Sequence, residues 1–321
     1  MIAIETHNLT RYYGALRAVD HLDLTIENEI FGLLGPNGSG KTTTVLMLTT
    51  LLRPSEGTAS ICGYDVLTKG TEVRKHISYV PQDMAVDIKL TGRENVLFYA
   101  DLYGVDNPKD RTDEALGIME LSDRADDLTK TYSGGMRRRL ELAQALVHEP
   151  DVVFLDEPTL GLDVAARKKI WEHIRSLKKT GMTVFVTTHY MDEADRYCDR
   201  VGIISSGRIT ALGSPPALKA RLMKDVVTIS VEGECSSLQE PVIEGTEYLG
   251  CTGSDLSFTA ENGREALPLL ADALGRSGIR IRQMSLREPT LDDVFLQVVG
   301  QQEETPGFNE QKFRIMLRRR R

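Results

Sequence analysis

The chain has 321 residues, room for one large domain and a smaller one, and its 41% hydrophobic and 27% charged content is ordinary for a soluble globular protein. Its 39 Lys+Arg against 47 Asp+Glu give a formal charge of −8, which argues against a protein whose main business is coating nucleic acid. No charged-then-apolar leader is present and no apolar run approaches the roughly 18 residues that a membrane helix needs, so work at a membrane would require another chain to span it.

Residues 1 to 28 alternate in short β-compatible pieces, Ile2-Ala3-Ile4 and Leu22 to Ile26, around a turn at Gly14. Tyr13, just before that glycine, is either an aromatic face for a base or a tyrosine packed on a sheet edge. Ile30 to Leu34 reads as a buried strand and Thr43 to Leu52 as the continuation of a helix. Between them stands Gly35-Pro36-Asn37-Gly38-Ser39-Gly40-Lys41-Thr42, a full match to G-x-x-x-x-G-K-[ST] in the strand–loop–helix context the motif requires. The glycines let backbone N–H groups converge on phosphate oxygens beside the positive end of a helix. Lys41 would reach the β- and γ-phosphates and Thr42 would offer a hydroxyl to Mg²⁺.

Ala59 to Ile61 and His76 to Val80 are strand candidates, the second running into Gln82, which either carries an amide to Mg²⁺ or water or is simply a loop glutamine. From Thr91 the pattern turns helical, with Glu94 completing a capping box, and little strand signal appears between Leu90 and Pro150. That stretch reads as a helical lobe inserted in an α/β core. Within it Ser133-Gly134-Gly135-Met136 precedes an amphipathic helix, a second anion-binding terminus or an ordinary capped helix; Arg137, Arg138 and Arg139 are a solvated face, carboxylate partners, or both.

Asp151 to Glu157 is an apolar run ending in two carboxylates, as expected of a buried parallel strand with acids at its C-terminal edge. Asp156 is then placed to hold Mg²⁺, and Glu157 to orient or deprotonate water beside the γ-phosphate. Thr183 to His189 repeats the design and delivers a histidine that could bond the γ-phosphate. The four cysteines, Cys62, Cys198, Cys235 and Cys251, form no C-x-x-C pair and are expected to be small buried hydrophobes rather than zinc ligands or disulfides.

Taken together these pieces resemble the ATP-binding cassette family of transporter ATPases over about residues 3 to 222. Tyr13 matches its adenine-stacking aromatic, Gly35 to Thr42 the Walker A loop with Thr43 following, and Gln82 the Q-loop. Ser133, Gly134 and Gly135 match the signature, Asp156 the Walker B aspartate, Glu157 the catalytic glutamate, Asp163 the D-loop and His189 the switch histidine. Met136 stands where the family usually has glutamine, a feature of the branch related to daunorubicin-resistance ATPases and other ABC-2 exporters.

The resemblance implies an α/β P-loop NTPase (RecA-like) core with an N-terminal antiparallel β subdomain and a helical subdomain at about 90–150, together forming a nucleotide-binding domain over 1–222. It implies ATP and Mg²⁺ as cofactors, a homodimer or heterodimer of cassettes with ATP between Walker A of one and the signature of the other, and a separate ABC-2 type permease. It implies a peripheral place on the cytoplasmic face of the cell membrane and no nucleic acid partner. Glu157, His189 and Gln82 would carry hydrolysis, and Thr42, Gln82 and Asp156 would hold the metal. Export driven by ATP through the permease is the expected task, with drug, lipid and polysaccharide all open as cargo, and a soluble ATPase acting on DNA or ribosomes is the alternative.

After Arg221 the pattern resets. Strands at Val226 to Val231, Asp255 to Thr259 and Ile279 to Leu286, with a helix from Arg264 to Leu274 and a short one after Arg287, predict a small α+β domain over 223–300. A polar tail, 301–321, ends in Arg318 to Arg321.

Overall fold

The computed structural model describes residues 2–233 and 244–300, so the basic tail and Cys235 lie outside the described residues. The chain divides into two compact units, Met1–Ser214 and Pro215–Arg321.

In the first unit the chain runs β1 (Ile4–Tyr13), β2 (Leu16–Ile26), β3 (Ile30–Leu34), α1 (Lys41–Leu48), β4 (Glu56–Ile61), β5 (Tyr64–Asp65), α2 (Gly70–His76) and β6 (Ile77–Val80). Then come α3 (Gly92–Tyr103), α4 (Pro108–Ile118), α5 (Gly134–Leu146), β7 (Val152–Asp156), α6 (Val164–Lys179), β8 (Thr183–Thr188), α7 (Met191–Tyr197), β9 (Arg200–Ser205) and β10 (Arg208–Gly213). β1 and β2 turn about Gly14 at φ +58 and, with β4 and β5, make an antiparallel sheet in the order β2-β1-β4-β5. A six-stranded sheet has the order β10-β9-β3-β8-β7-β6, parallel except for the edge strand β10.

Every residue of β3, β7 and β8 is buried, as a parallel sheet covered on both faces demands. Phe31, Phe154 and Phe185 line up across these strands with successive ring centroids 5.4 Å apart. α3, α4 and α5 form the helical lobe, and α3 starts on the expected capping box between Thr91 and Glu94.

Two local expectations shift. α1 ends at Leu48 rather than Leu52: the Thr49 hydroxyl donates back to the Val45 carbonyl and Thr50 turns left-handed at φ +64. α2, with Val73 as its one buried residue, carries no amphipathic signal and was not anticipated.

The second unit contains α8 (Pro215–Leu222), β11 (Asp225–Val231), β12 (Thr246–Thr252), β13 (Asp255–Ala260), α9 (Gly263–Arg276), β14 (Ile281–Arg287) and α10 (Leu291–Gly300). Its antiparallel sheet, β12-β13-β11-β14, shares a core with α9 built around Val227, Ile229, Leu256, Phe258, Leu270 and Leu274. β12 is an addition to the expected strands. Cys251, on β12, is disulfide-bonded, which corrects the expectation of unpaired cysteines; Cys62 and Cys198 are free.

Candidate active site

Parallel pairing brings the chemistry together. In register, Leu34 of β3 lies beside Thr188 of β8, Thr187 beside Asp156 of β7, and Leu155 beside Val80 of β6. Four strands therefore deliver the glycine loop, the Asp156-Glu157 pair, His189 and Gln82 at one carboxyl edge, where ligands of open α/β sheets bind.

The glycine loop is held by close approach. A Cβ on Gly35 would meet the Ile204 carbonyl oxygen at 2.4 Å, and one on Gly40, which sits at φ +109, would meet the Ala18 carbonyl oxygen at 2.4 Å. Gly40 caps α1, so the first N–H groups of that helix have no partner within it and face the loop. Lys41 is buried; its Nζ donates to the carbonyls of Gly35 (2.7 Å) and Pro36 (3.1 Å) and lies 3.8 Å from Glu157 Oε1. Burial lowers the Lys41 ammonium pKa, against the opposing pull of the Glu157 and Asp156 charges. Ser39 Oγ is buried with no hydrogen-bond partner among the described residues.

A cleft of about 400 Å³ is lined by Tyr13, Asn37, Gly38, Gly40, Lys41, Thr42, Thr43, Gln82 and Glu157, joined by Leu16 and Ala18 from β2. Tyr13 is 46% exposed, with the Arg11 guanidinium 5.0 Å from its ring centroid.

Behind the cleft, Asp156 is 1% exposed and accepts from the Thr187 hydroxyl. Burial, with the Asp156 charge second, pushes the neighbouring Tyr79 phenol up to about 12. Glu157 sits at φ +47, a conformation that costs a non-glycine residue about 1–3 kcal/mol. Its N–H is anchored by the carbonyl (3.1 Å) and hydroxyl (3.0 Å) oxygens of Thr187, and its Oε2 lies 3.0 Å from His189 Nδ1. Lys41, Glu157 and His189 thus form one connected set, with carboxylate, ammonium and imidazole at the mouth of a phosphate-sized loop.

Ser133, Gly134, Gly135 and Asp163 do not line this cleft. Ser133 caps α5, accepting from Met136 N at 3.2 Å, and Asp163 caps α6, accepting from Ala166 N at 2.9 Å. The two helix starts are neighbours: a Cβ on Gly135 would approach the Ala166 Cβ to 3.0 Å. Each helix start offers free N–H groups away from the cleft of the same chain.

The arginines after the signature divide. Arg137 and Arg139 bond carbonyls of the helical lobe. Arg138, 3% exposed, donates to the carbonyls of Pro81, Asp156, Glu157 and Pro158 and pairs with Glu141 at 2.8 Å. Glu141 Oε1 in turn accepts from Ala85 N at 2.6 Å. Arg138, Glu141 and Thr187 support the site, and no local motif marks them.

A P-loop at a parallel sheet edge, facing a carboxylate pair and a histidine, with a capped S-G-G helix set apart from it, defines a cassette-type ATPase. The ABC transporter profile matches residues 19–160, and the C-terminal domain profile of DrrA1-3-like ATP-binding proteins matches residues 213–299. The daunorubicin/doxorubicin resistance ATP-binding protein DrrA of Streptomyces peucetius is 42% identical over 93% of this chain and 92% of its own. The Nod factor export ATP-binding protein I of Cupriavidus metallidurans is 37% identical over 93% and 98%. Among solved structures, a dimeric ATP-binding cassette, MJ0796, in a post-hydrolysis state with ADP and Pi superposes with TM-score 0.60 at 27% identity, covering 66% of this chain and 98% of that one. The chain belongs to the ABC transporter family, in its DrrA-like branch of ATP-binding proteins. It binds and hydrolyses ATP as the energy-supplying subunit of an export system. No helix among the described residues is long and apolar enough to cross a membrane.

Proposed function

We propose that this chain works as one of two paired cassettes on the cytoplasmic face of the cell membrane, driving a separate ABC-2 type permease. The observation that carries the reading is the division of the site. Walker A, Gln82, Glu157 and His189 meet at one cleft, while Ser133 to Gly135 and Asp163 lie outside it and are free to complete the cleft of a second cassette.

ATP would lie with its base against Tyr13 and its phosphates in the loop from Gly35 to Gly40, where the unpartnered Ser39 hydroxyl and the first N–H groups of α1 fit phosphate oxygens. Lys41 exchanges its loop carbonyls for phosphate oxygens. Thr42, Asp156 and Gln82 suit Mg²⁺, since hydroxyl, carboxylate and amide oxygens are the hard donors it prefers, and the ion would neutralise phosphate charge. Glu157 receives the proton of the attacking water, and His189 holds that carboxylate in position from its 3.0 Å contact. The signature of the partner cassette closes over the γ-phosphate, and its release on hydrolysis reopens the pair.

The cargo belongs to the permease. The relatives' names, daunorubicin and doxorubicin resistance and Nod factor export, support outward transport of a small organic molecule. The C-terminal unit, residues 223–300 in the sequence reading, would serve assembly or regulation.

The test is light scattering of the purified chain with Mg-ATP, comparing wild type with Glu157→Gln. The expected result is an ATP-dependent shift from monomer to dimer, stronger in the variant, with turnover reduced about 10²-fold or more. A variant that binds ATP, stays monomeric and remains so with the permease present would overturn the paired-cassette reading.

A further inference from the structure

Beside the cleft, a chain of contacts joins the loop after Glu157 to the segment that carries His189, and the chemistry described so far does not use it. Glu193, in the first turn of α7, has a carboxylate only 5% exposed. Its Oε2 accepts from the buried Thr159 hydroxyl at 2.7 Å and its Oε1 lies 4.0 Å from Arg167 Nη1, with the buried Trp171 indole as a further neighbour that favours the charged carboxylate. Arg167, in the first turn of α6, donates from Nε to the Leu162 carbonyl at 3.2 Å and lays its guanidinium 4.2 Å from the centroid of the Tyr190 ring. The Tyr190 ring in turn lies 4.2 Å from that of His189.

These links have a direction. Leu160 N bonds the Glu157 carbonyl and Leu162 N bonds the Thr159 carbonyl, so the segment from Glu157 to Leu162 is two consecutive turns with little freedom between them. Arg167 grips the end of that segment and the ring of Tyr190, next to His189, and Glu193 grips its middle through Thr159. A half-buried arginine 4.0 Å from a buried carboxylate is a long ion pair, held by the surrounding contacts rather than by a direct hydrogen bond. The guanidinium therefore links the Leu162 carbonyl to the aromatic ring against which the histidine lies.

We infer that Arg167 and Glu193 are positioning residues for His189, setting the imidazole against Glu157 according to the position of the loop from Leu160 to Asp163. The inference rests on the catalytic reading of Glu157 and His189 given above. It adds that His189 is the group through which Arg167 acts.

The experiment is steady-state ATP hydrolysis by the full chain, with ATP KM and thermal midpoint measured alongside, for Arg167→Ala, Arg167→Lys, Glu193→Gln, His189→Ala and the double variant Arg167→Ala/His189→Ala. Arg167→Ala is expected to lower kcat about tenfold with KM within about twofold, because the lost contact orients a group that acts after binding. Arg167→Lys keeps a cation over the ring and regains part of the loss. On the His189→Ala background, Arg167→Ala has no further effect. Equal losses on both backgrounds, or a loss of thermal midpoint with kcat per folded molecule unchanged, would overturn the inference. Where Arg167→Ala does not fold, Tyr190→Leu removes the same ring contact and is expected to reproduce the kcat loss; full activity in that variant would overturn it equally. If His189→Ala itself leaves kcat unchanged, the catalytic reading fails, a result distinct from failure of the positioning role.

Discussion

At the scale of single residues, the glycine loop separates conformational need from close packing. Gly38 and Gly40 both occupy positive φ, +79 and +109, but a Cβ on Gly38 would meet nothing within 4 Å while one on Gly40 would meet the Ala18 carbonyl oxygen at 2.4 Å. Gly38→Ala therefore carries strain alone, about 1 kcal/mol, and is expected to weaken ATP binding by less than about tenfold. Gly40→Ala must also displace β2 or the start of α1, and is expected to cost more than about a hundredfold in affinity. Titration with a fluorescent ATP analogue checks the pair, and equal losses would mean that backbone strain is the whole effect. The strand–loop–helix geometry of Gly35 to Thr42 was legible in the sequence because it is made by a contiguous run of residues, whose types are set by local backbone geometry. Asp156 and Glu157 were legible for the same reason, as acids at the end of an apolar strand. Arg138 was not: its partners Pro81, Glu141, Asp156, Glu157 and Pro158 come from three segments, and before folding nothing distinguishes it from Arg137 or Arg139.

At the scale of elements, two charged groups tie segments together beyond their backbone pairing. Arg138 of α5 binds the turn after β6 and the turn after β7, so removing its guanidinium leaves the Glu141 carboxylate buried and several carbonyls without a donor. Arg138→Met is expected to destabilise the first unit by about 3–5 kcal/mol, read as a lower urea midpoint, and the double variant Arg138→Met/Glu141→Leu to recover part of that. A double variant as unstable as the single one would show that the carbonyl bonds, rather than the ion pair, dominate. Asp20 of β2 makes the second tie. Burial works against its carboxylate, yet hydrogen bonds from His21, Arg208 and Arg17 hold it well below the usual carboxylate range. Arg208 belongs to β10, so the contact joins the antiparallel sheet to the edge of the parallel one. Because the folded pKa lies below the unfolded value near 3.8, this stabilisation is present above about pH 4 and is lost as pH falls through the folded pKa. Asp20→Asn should accordingly melt below wild type at pH 7, with the gap closing on acidification below pH 3.8; a gap independent of pH would assign the effect to packing. Element types were mostly readable from periodicity, and the misses have physical causes. α2 buries one side chain, and β12 is half exposed and broken by Gly250 at φ +126, so neither displays the apolar repeat by which helices and strands are recognised.

At the scale of the molecule, the composition change after Arg221 and the division of contacts at Ser214 and Pro215 fall on opposite sides of α8. α8 packs with α10 of the second unit, and its Leu218 is 3% exposed. Cutting the chain after Leu222 therefore keeps α8 and removes the helix it packs on, exposing an apolar side chain worth about 1.5–3 kcal/mol of burial and adding a surface prone to association. Cutting after Ser214 leaves β10 paired with β9 and removes α8 together with its partner. The loop from Gly35 to Gly40, the Asp156-Glu157 pair and His189 all lie before either cut, as do Lys41 and Thr187, whose side chains bond them. Residues 1–214 are thus expected to fold as a monodisperse species with ATP affinity within about twofold of the full chain, and residues 1–222 to aggregate more readily at the same affinity per folded molecule. Size-exclusion chromatography with nucleotide titration compares the two. Loss of ATP binding by both fragments would mean that the second unit contributes to the nucleotide site itself, whereas retained binding with loss of permease association would give the second unit its role in assembly.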